Sequence, residues 1–443
     1  MTVKLSDHFT YGKLLRFTFP TMAMLVFTSI YSVVDGFFVS NYVGNTPFAA
    51  LNLIWPFIMM LSAVGFMMGA GGSAVVGKTL GEGNQKKASE YFSAIVLVTL
   101  ILSVSLSTVS FPFLEKIALL MGSDEAMLPY CVEYGSILLI GLFTYTIQNM
   151  FQGLMVAAEK PRFGFFVTVG AGVTNMILDY VFVAVLDWGL AGAAWATVGS
   201  QVIGSIVPFI YFLFPNDSLL RLTKPDFNFK ILTKVCSNGS SELVSNISAS
   251  VVGMAFNLEL MKHIGQDGVS AYGVMMYINF IFFAIFFGYG MGSAPIISFH
   301  FGAKNGEEIK NLFRKSLVLI GCMGIGMSMI AYALARPLSA IFVGYDEELL
   351  ALTVHGFRVS VASFFFAGFN FFGSSFFTAL NNGLISALIS FIRIFGFQMG
   401  TVILMAEIWG VEGIWWSMCA AEVLSIVLTG AFILKYRKVY RYF

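Results

Sequence analysis

The chain has 443 residues, of which 58% are hydrophobic and only 11% charged, with a formal net charge of +1 and a mean hydropathy of +0.83. Soluble domains carry about 25% charge, so this composition excludes an ordinary soluble enzyme. It also excludes a disordered chain, and the near-neutral charge gives nucleic-acid binding no support.

Taken in chain order, the apolar runs predict twelve transmembrane helices at about 15–39, 47–77, 89–112, 127–156, 163–186, 190–213, 235–260, 269–299, 316–335, 349–378, 383–406 and 412–434. The start, Met1 to Leu15, is polar, and the first apolar run is long enough to span, so no cleavable signal peptide is expected. The segment 214–234, with two prolines and several charges, reads as a linker between lobes 1–213 and 235–443. Four scattered cysteines, Cys131, Cys236, Cys322 and Cys419, form no zinc or redox motif.

Basic residues set the orientation. Twenty of the 25 lie at the N-terminus, in the even-numbered loops or at the C-terminus, among them Lys86, Lys87, Arg162, Arg314, Arg437 and Arg441. Only Lys116, Lys262 and Arg336 fall on the other side, and Arg358 and Arg393 lie inside spans. Both termini are therefore expected in the cytoplasm, with the chain resident in the cytoplasmic membrane.

The halves match at an offset of 221 residues. Gly44, Gly69, Gly71, Gly81 and Asn84 answer to Gly265, Gly290, Gly292, Gly302 and Asn305. The run Trp188-Gly189-x-x-Gly192-x-x-Trp195 answers to Trp409-Gly410-x-x-Gly413-x-x-Trp416. Six helices per repeat, an even number, keep both repeats in one orientation, related by an axis along the membrane normal. Two parallel bundles imply a cleft that opens alternately to each side, which is the design of a secondary transporter.

A charge at the bilayer centre costs roughly 2.5–3.5 kcal/mol, so intramembrane carboxylates need a reason. Asp35 lies late in helix 1. Asp179 lies in helix 5, four residues after Asn175 and on the same face. At the repeat offset Asp35, Asn175 and Asp179 become Phe256, Gly396 and Gly400, so the polar set is no part of the shared scaffold. Desolvation and a neighbouring like charge both favour a carboxyl's neutral form, which suits a group that loads and releases a proton, and the same oxygens suit sodium. The competing reading places both acids at the outer interface, in reach of water.

Elsewhere the bland reading is the stronger one. Glu242 and Glu259 are expected near the two ends of helix 7, Arg393 is expected to snorkel towards the cytoplasm, and His300 to sit at a loop edge. Asn149 and Asn370, matched across the repeat, read as polar glue between helices. Together with Gln152, His355 and Arg358 they are also the candidates for lining the cleft. The run Gly72-Ser-Ala-Val-Val-Gly77-Lys78-Thr79 fits a phosphate-loop pattern by letter, but no strand precedes it and it lies in a long apolar helix.

These features together resemble the multidrug and toxic compound extrusion family, MATE, over essentially the whole chain. The resemblance implies an all-α membrane fold of two pseudo-symmetric six-helix bundles in a V. It also implies export of hydrophobic, often cationic drugs, driven by inward proton or sodium flow, with no cofactor and no catalytic residues. It implies a cation site in the N-terminal lobe from Tyr31 and Asp35 of helix 1, Asn175 and Asp179 of helix 5 and Thr197 of helix 6. Asp35, Asn175, Asp179 and Thr197 would be the metal ligands if sodium is the ion. A second branch of the family uses acids in helices 7 and 10, where this chain offers Asn370 and no carboxylate in helix 10. The expected partners are the drug and the bilayer, with no nucleic acid and a monomeric state. The alternative function is a lipid-linked-precursor flippase of the same superfamily, which would want a more cationic cleft.

Overall fold

The computed structural model describes residues 3–440 and 442, so Arg441, counted above with the cytoplasmic basic residues, lies outside the described residues. Within hydrocarbon every backbone N–H and C=O needs a partner in its own segment, and the apolar runs accordingly fold as helices. They are α1 (Tyr11–Phe38), α2 (Asn45–Gly81), α3 (Gln85–Ser110), α4 (Leu114–Leu120), α5 (Leu128–Ile140), α6 (Leu142–Ala157), α7 (Pro161–Asp179), α8 (Gly189–Leu213), α9 (Phe229–Ile264), α10 (Gln266–Gly302), α11 (Gly306–Val343), α12 (Glu347–Ser360), α13 (Ser363–Ala379), α14 (Gly383–Phe391) and α15 (Met399–Tyr440). Three wider π-helical turns interrupt them: Val39–Val43 after α1, Tyr180–Val185 after α7, and Ile392–Gln398 between α14 and α15.

Among the described residues nine helices are long and apolar enough to cross a membrane, and eleven spans result when two bent pairs each count as one. The last of the nine, Gly383–Tyr440, is broken at Gly410, where φ is 57° and ψ −135°. Read as two passes, it restores the twelve expected. Two of the spans are bent: α5 and α6 meet at 56°, and α12 and α13 at 50°. Gly141 stands at the first bend, where any Cβ would strike the Val198 side chain.

The chain packs as two compact units, one of Phe27–Gly239 and the other of Met1–Val26 with Ser240–Phe443. Helices α1 and α9 each pass from one unit to the other. In the first unit α2 crosses its neighbours at glycines. A Cβ on Gly69 would lie 2.9 Å from the Met150 carbonyl oxygen, and one on Gly153 2.9 Å from the Gly69 carbonyl carbon. Gly71 faces the Val235 carbonyl and Gly239 the Met67 carbonyl just as closely. Small residues thus let backbones touch, the usual device of helix packing in lipid. Residues 72–79 run through the interior of α2, so the phosphate-loop letters form no loop.

In the second unit the segment before α1 is clamped onto α11. The Phe9 backbone N–H donates to Glu308 Oε1 (2.9 Å), Asn311 and Lys315 donate to the Phe9 carbonyl (2.9 and 2.6 Å), and His8 Nδ1 meets Glu308 Oε2 at 2.6 Å. Below the clamp, α1 lies against glycines of α10: a Cβ on Gly288 would meet Met22 Cα at 2.6 Å. His300 is buried in the last turn of α10, edge-on to the Phe9 ring, and so is part of this packing and not a loop-edge residue.

The repeat is visible in local geometry. Gly44 and Gly265 both take positive φ (114° and 68°), as do Gly189 and Gly410 (58° and 57°), and Gly83 and Lys304 (79° and 56°). Asn84 caps α3 through the Lys87 N–H, and Asn305 caps α11 through the Glu308 N–H. Each pair lies 221 residues apart.

Candidate functional site

The N-terminal acids sit where regular helix gives way to a π turn. Asp179 is the last residue of α7, directly before Tyr180–Val185, and Asp35 lies three residues before the end of α1. Such widened turns concentrate at functional sites. Close packing of α7 on α1 is allowed by Gly172, whose Cβ, if present, would lie 2.6 Å from Phe27 Cε1 and 2.8 Å from Tyr31 Cδ1. One and two turns further along α7, the same face carries Asn175 and then Asp179.

The Asp35 and Asp179 carboxyls lie close enough to act on each other electrostatically. Asp179 has no exposed surface and Asn175 only 1%. Among the described residues, neither Asp179 oxygen, nor Asp35 Oδ1, nor Asn175 Oδ1 receives a hydrogen bond from any donor. Two carboxylates both accept and neither donates. Facing each other in a buried site, they are satisfied by a proton shared between them or by a cation bound to both. Unpaired buried charge costs several kcal/mol, so the arrangement calls for such an occupant.

The other predicted residues fall around this pair with differing closeness. Tyr31 stands in the electrostatic field of Asp35 and of Tyr145. The Tyr145 hydroxyl donates to Met59 Sδ at 3.0 Å, and Asn149 lies one turn further along α6. Gln152 is buried on the same helix with its Oε1 unpartnered, as is Asn149 Nδ2. Thr197 is buried on α8, which packs along α7, and among the described residues no hydrogen bond joins it to either carboxyl.

One residue escapes sequence reasoning. Tyr134 of α5 is fully buried, its hydroxyl has no partner among the described residues, and it lies in the field of both Asp35 and Asp179. A tyrosine inside an apolar run carries no periodicity signal. The only hint was the cost of burying a phenol without a partner.

The remaining cleft candidates belong to the other unit. His355 Nε2 meets Glu412 Oε1 at 2.6 Å with both side chains more than half exposed, and Arg358 lies over the Tyr332 ring at 4.9 Å. Asn370 is wholly buried and donates to Glu422 Oε2 (2.7 Å) and to the Glu422 carbonyl (3.0 Å). Arg393 does not snorkel. It is buried and grips Glu422 with Nε at 3.0 Å from Oε1 and 3.1 Å from Oε2, and Nη2 at 2.8 Å from Oε1. A carboxylate within reach on α15 offers a better partner than the distant interface, and its helix position, 29 residues on, hid it from the sequence reading. Glu242 also departs from expectation. Helix α9 starts at Phe229, so Glu242 is its fourteenth residue rather than an end residue. No group of three or more His, Cys, Asp or Glu side chains fit to hold a metal occurs among the described residues. Oxygens from Asp35, Asp179, Asn175 and Thr197 are the hard donors that a sodium ion would take.

Multi-pass, all-helical and duplicated, the molecule has the architecture of a membrane transporter. A family model described as MatE matches it twice, over residues 20–181 and 243–404, close to three quarters of the chain and once in each repeat. The chain belongs to the MatE family of transporters and is not an enzyme; MATE transporters couple to a cation. It is similar to the multidrug export protein MepA of Staphylococcus aureus strain N315, with 21% identity over 417 residues, covering 93% of this chain and 90% of that one. The MepA of Staphylococcus saprophyticus is 23% identical over 425 residues, with the same coverage. Among solved structures, an outward-facing multidrug resistance MATE transporter of the MOP superfamily aligns with TM-score 0.93 at 19% identity, covering 98% of this chain and 97% of the other. A MOP superfamily transporter from Pyrococcus furiosus, reported with a binding pocket of reversed polarity, aligns with TM-score 0.92 at 19% identity over 98% and 97%. Both likenesses establish the MATE fold.

Proposed function

We propose that this chain exports hydrophobic, often cationic drugs or toxic compounds across the cytoplasmic membrane by alternating access, in exchange for an inward-moving proton or sodium ion held by Asp35 and Asp179. The observation that carries this reading is the pair of mutually interacting carboxyls, with no donor on three of their oxygens among the described residues. Tyr31, Asn175 and Thr197 complete the cation site. The MepA relatives, named as multidrug export proteins, support the cargo class. In this reading the chain works as a monomer, its lobes are residues 1–213 and 235–443 joined by a cytoplasmic linker at 214–234, and both termini face the cytoplasm.

The cycle follows from charge. With the carboxyls ionised, the site attracts a cationic drug, and the neighbouring phenols and apolar side chains receive its hydrophobic body. A proton or sodium arriving from outside cancels that attraction and gives the orphaned oxygens their partner, so the drug leaves outward. Release of the ion to the cytoplasm resets the pair. One charge crossing 100 mV is worth about 2.3 kcal/mol, enough for a gradient on the order of 50-fold in a neutral substrate.

The test is dye export from proteoliposomes under imposed proton or sodium gradients. Wild type should respond to one of the two, and Asp35→Asn and Asp179→Asn should each remove the response while the purified protein stays folded. Undiminished gradient-driven export in both variants would overturn the site; no response of wild type to either gradient would overturn the antiport itself.

A further inference from the structure

The second repeat holds a buried polar cluster that the proposed cycle leaves unused. Glu422 is 1% exposed and Arg393 6%, with Asn370 and Thr429 equally enclosed. Around the Glu422 carboxylate, Asn370 Nδ2 donates at 2.7 Å, and the Asn370 Oδ1 in turn accepts from the Thr429 hydroxyl at 3.0 Å. The Arg393 guanidinium makes three contacts with the carboxylate and lies 4.0 Å from the Phe371 ring centre. Glu242 is the other charged group in its field.

The cluster is built from a carboxylate, an amide and a hydroxyl, the residue types found at Asp35, Asp179, Asn175 and Thr197 in the first repeat, but here the amide and hydroxyl serve to hold the carboxylate. The residues are not copies of one another: at the 221-residue offset Arg393 answers to Gly172 and Glu422 to Gln201. What differs is the occupant. In the first repeat the oxygens stand without donors, whereas in the second a cation is already in place.

We propose that the Glu422 carboxylate oxygens, held in place by Asn370 and through it by Thr429, form a second cation-binding site, and that its occupant is tethered: the Arg393 guanidinium fills it as a resident counter-ion. The C-terminal repeat is thereby neutral without help and trades no ion. Emptied of the arginine, the same oxygens bind a free monovalent cation, sodium or guanidinium, drawn in by Glu422. The claim concerns this cluster alone and stands whether or not Asp35 and Asp179 carry the coupling ion.

The experiment uses full-length protein in detergent with Asp35→Asn and Asp179→Asn already present, so that the first repeat contributes no response. Thermal unfolding is followed in sodium chloride and in low-millimolar guanidinium chloride, against choline chloride at equal ionic strength. Arg393→Ala should show a saturable upward shift in melting temperature with sodium or guanidinium. Arg393→Ala combined with Glu422→Gln should show none, and Arg393→Lys, which keeps a tethered cation, should show none either. Should Arg393→Ala fold only when sodium or guanidinium is present throughout purification, that rescue is the same result in stronger form. Failure of Arg393→Ala to respond to, or to be rescued by, both cations overturns the proposal, as does a response that persists after Glu422→Gln.

Discussion

In the unit Phe27–Gly239, Asp35 and Asp179 face each other with their oxygens short of donors. In the other unit Glu422 receives an arginine fork and an amide, and the amide's own oxygen accepts a threonine hydroxyl. The scaffold is the same in both repeats, down to paired positive-φ residues and paired asparagine caps. The polar chemistry written on it is opposite. A satisfied buried cluster holds one geometry, while an unsatisfied one needs a visitor and changes when the visitor leaves. On the proposed cycle, the contrast separates a residue that fixes a bundle from one that moves cargo.

Four measurements test that contrast, beginning with the largest effect. Asp179→Asn should lower gradient-driven dye export at least about tenfold, the consequence of deleting a charge on which coupling depends. Replacing both Arg393 and Glu422 by Met should leave most export intact, and comparable losses in the two would erase the distinction. Next, Glu422→Gln or Arg393→Met alone should destabilise the fold by about 3–5 kcal/mol, because a buried charge loses its partner. The double Met variant should recover most of that loss in denaturation experiments. Third, Gly172→Ala drives a methyl into Tyr31 and Phe27, at a cost of about 1–3 kcal/mol, and should weaken ion-dependent export beyond its effect on melting. Smallest, Asn84→Ala and Asn305→Ala each remove one helix cap, worth about 1 kcal/mol. The two losses should be equal, since this part of the repeat is shared.

Much of the fold could be read from the amino acids. Hydropathy located the spans, and glycines at a fixed offset revealed the duplication, because each is a local or periodic property. Asp35 and Asp179 stood out for the cost of a charge in lipid. Two kinds of feature stayed hidden. Bends at Gly141 and near Ala362, and the π turns, depend on which neighbour a helix meets, as with Gly141 against Val198. Partnerships across long separations were also invisible: a polar residue inside a span looks alike whether it meets lipid or another helix. Hence Arg393 was assigned to the interface when Glu422 held it, and Tyr134 passed unnoticed beside the acids.

The clamp that fixes Phe9 to Glu308 joins groups 299 residues apart in sequence. Translation at about 5–20 residues per second leaves α1 in the bilayer for roughly 15–60 s before its docking surface on α10 and α11 has been made. During that interval the first half of α1 has only lipid, or the insertion machinery, for company. Assembly of this protein therefore closes on a segment made much earlier, and removing the residues that carry the clamp should show itself first as poor assembly and rapid proteolysis of newly made chains.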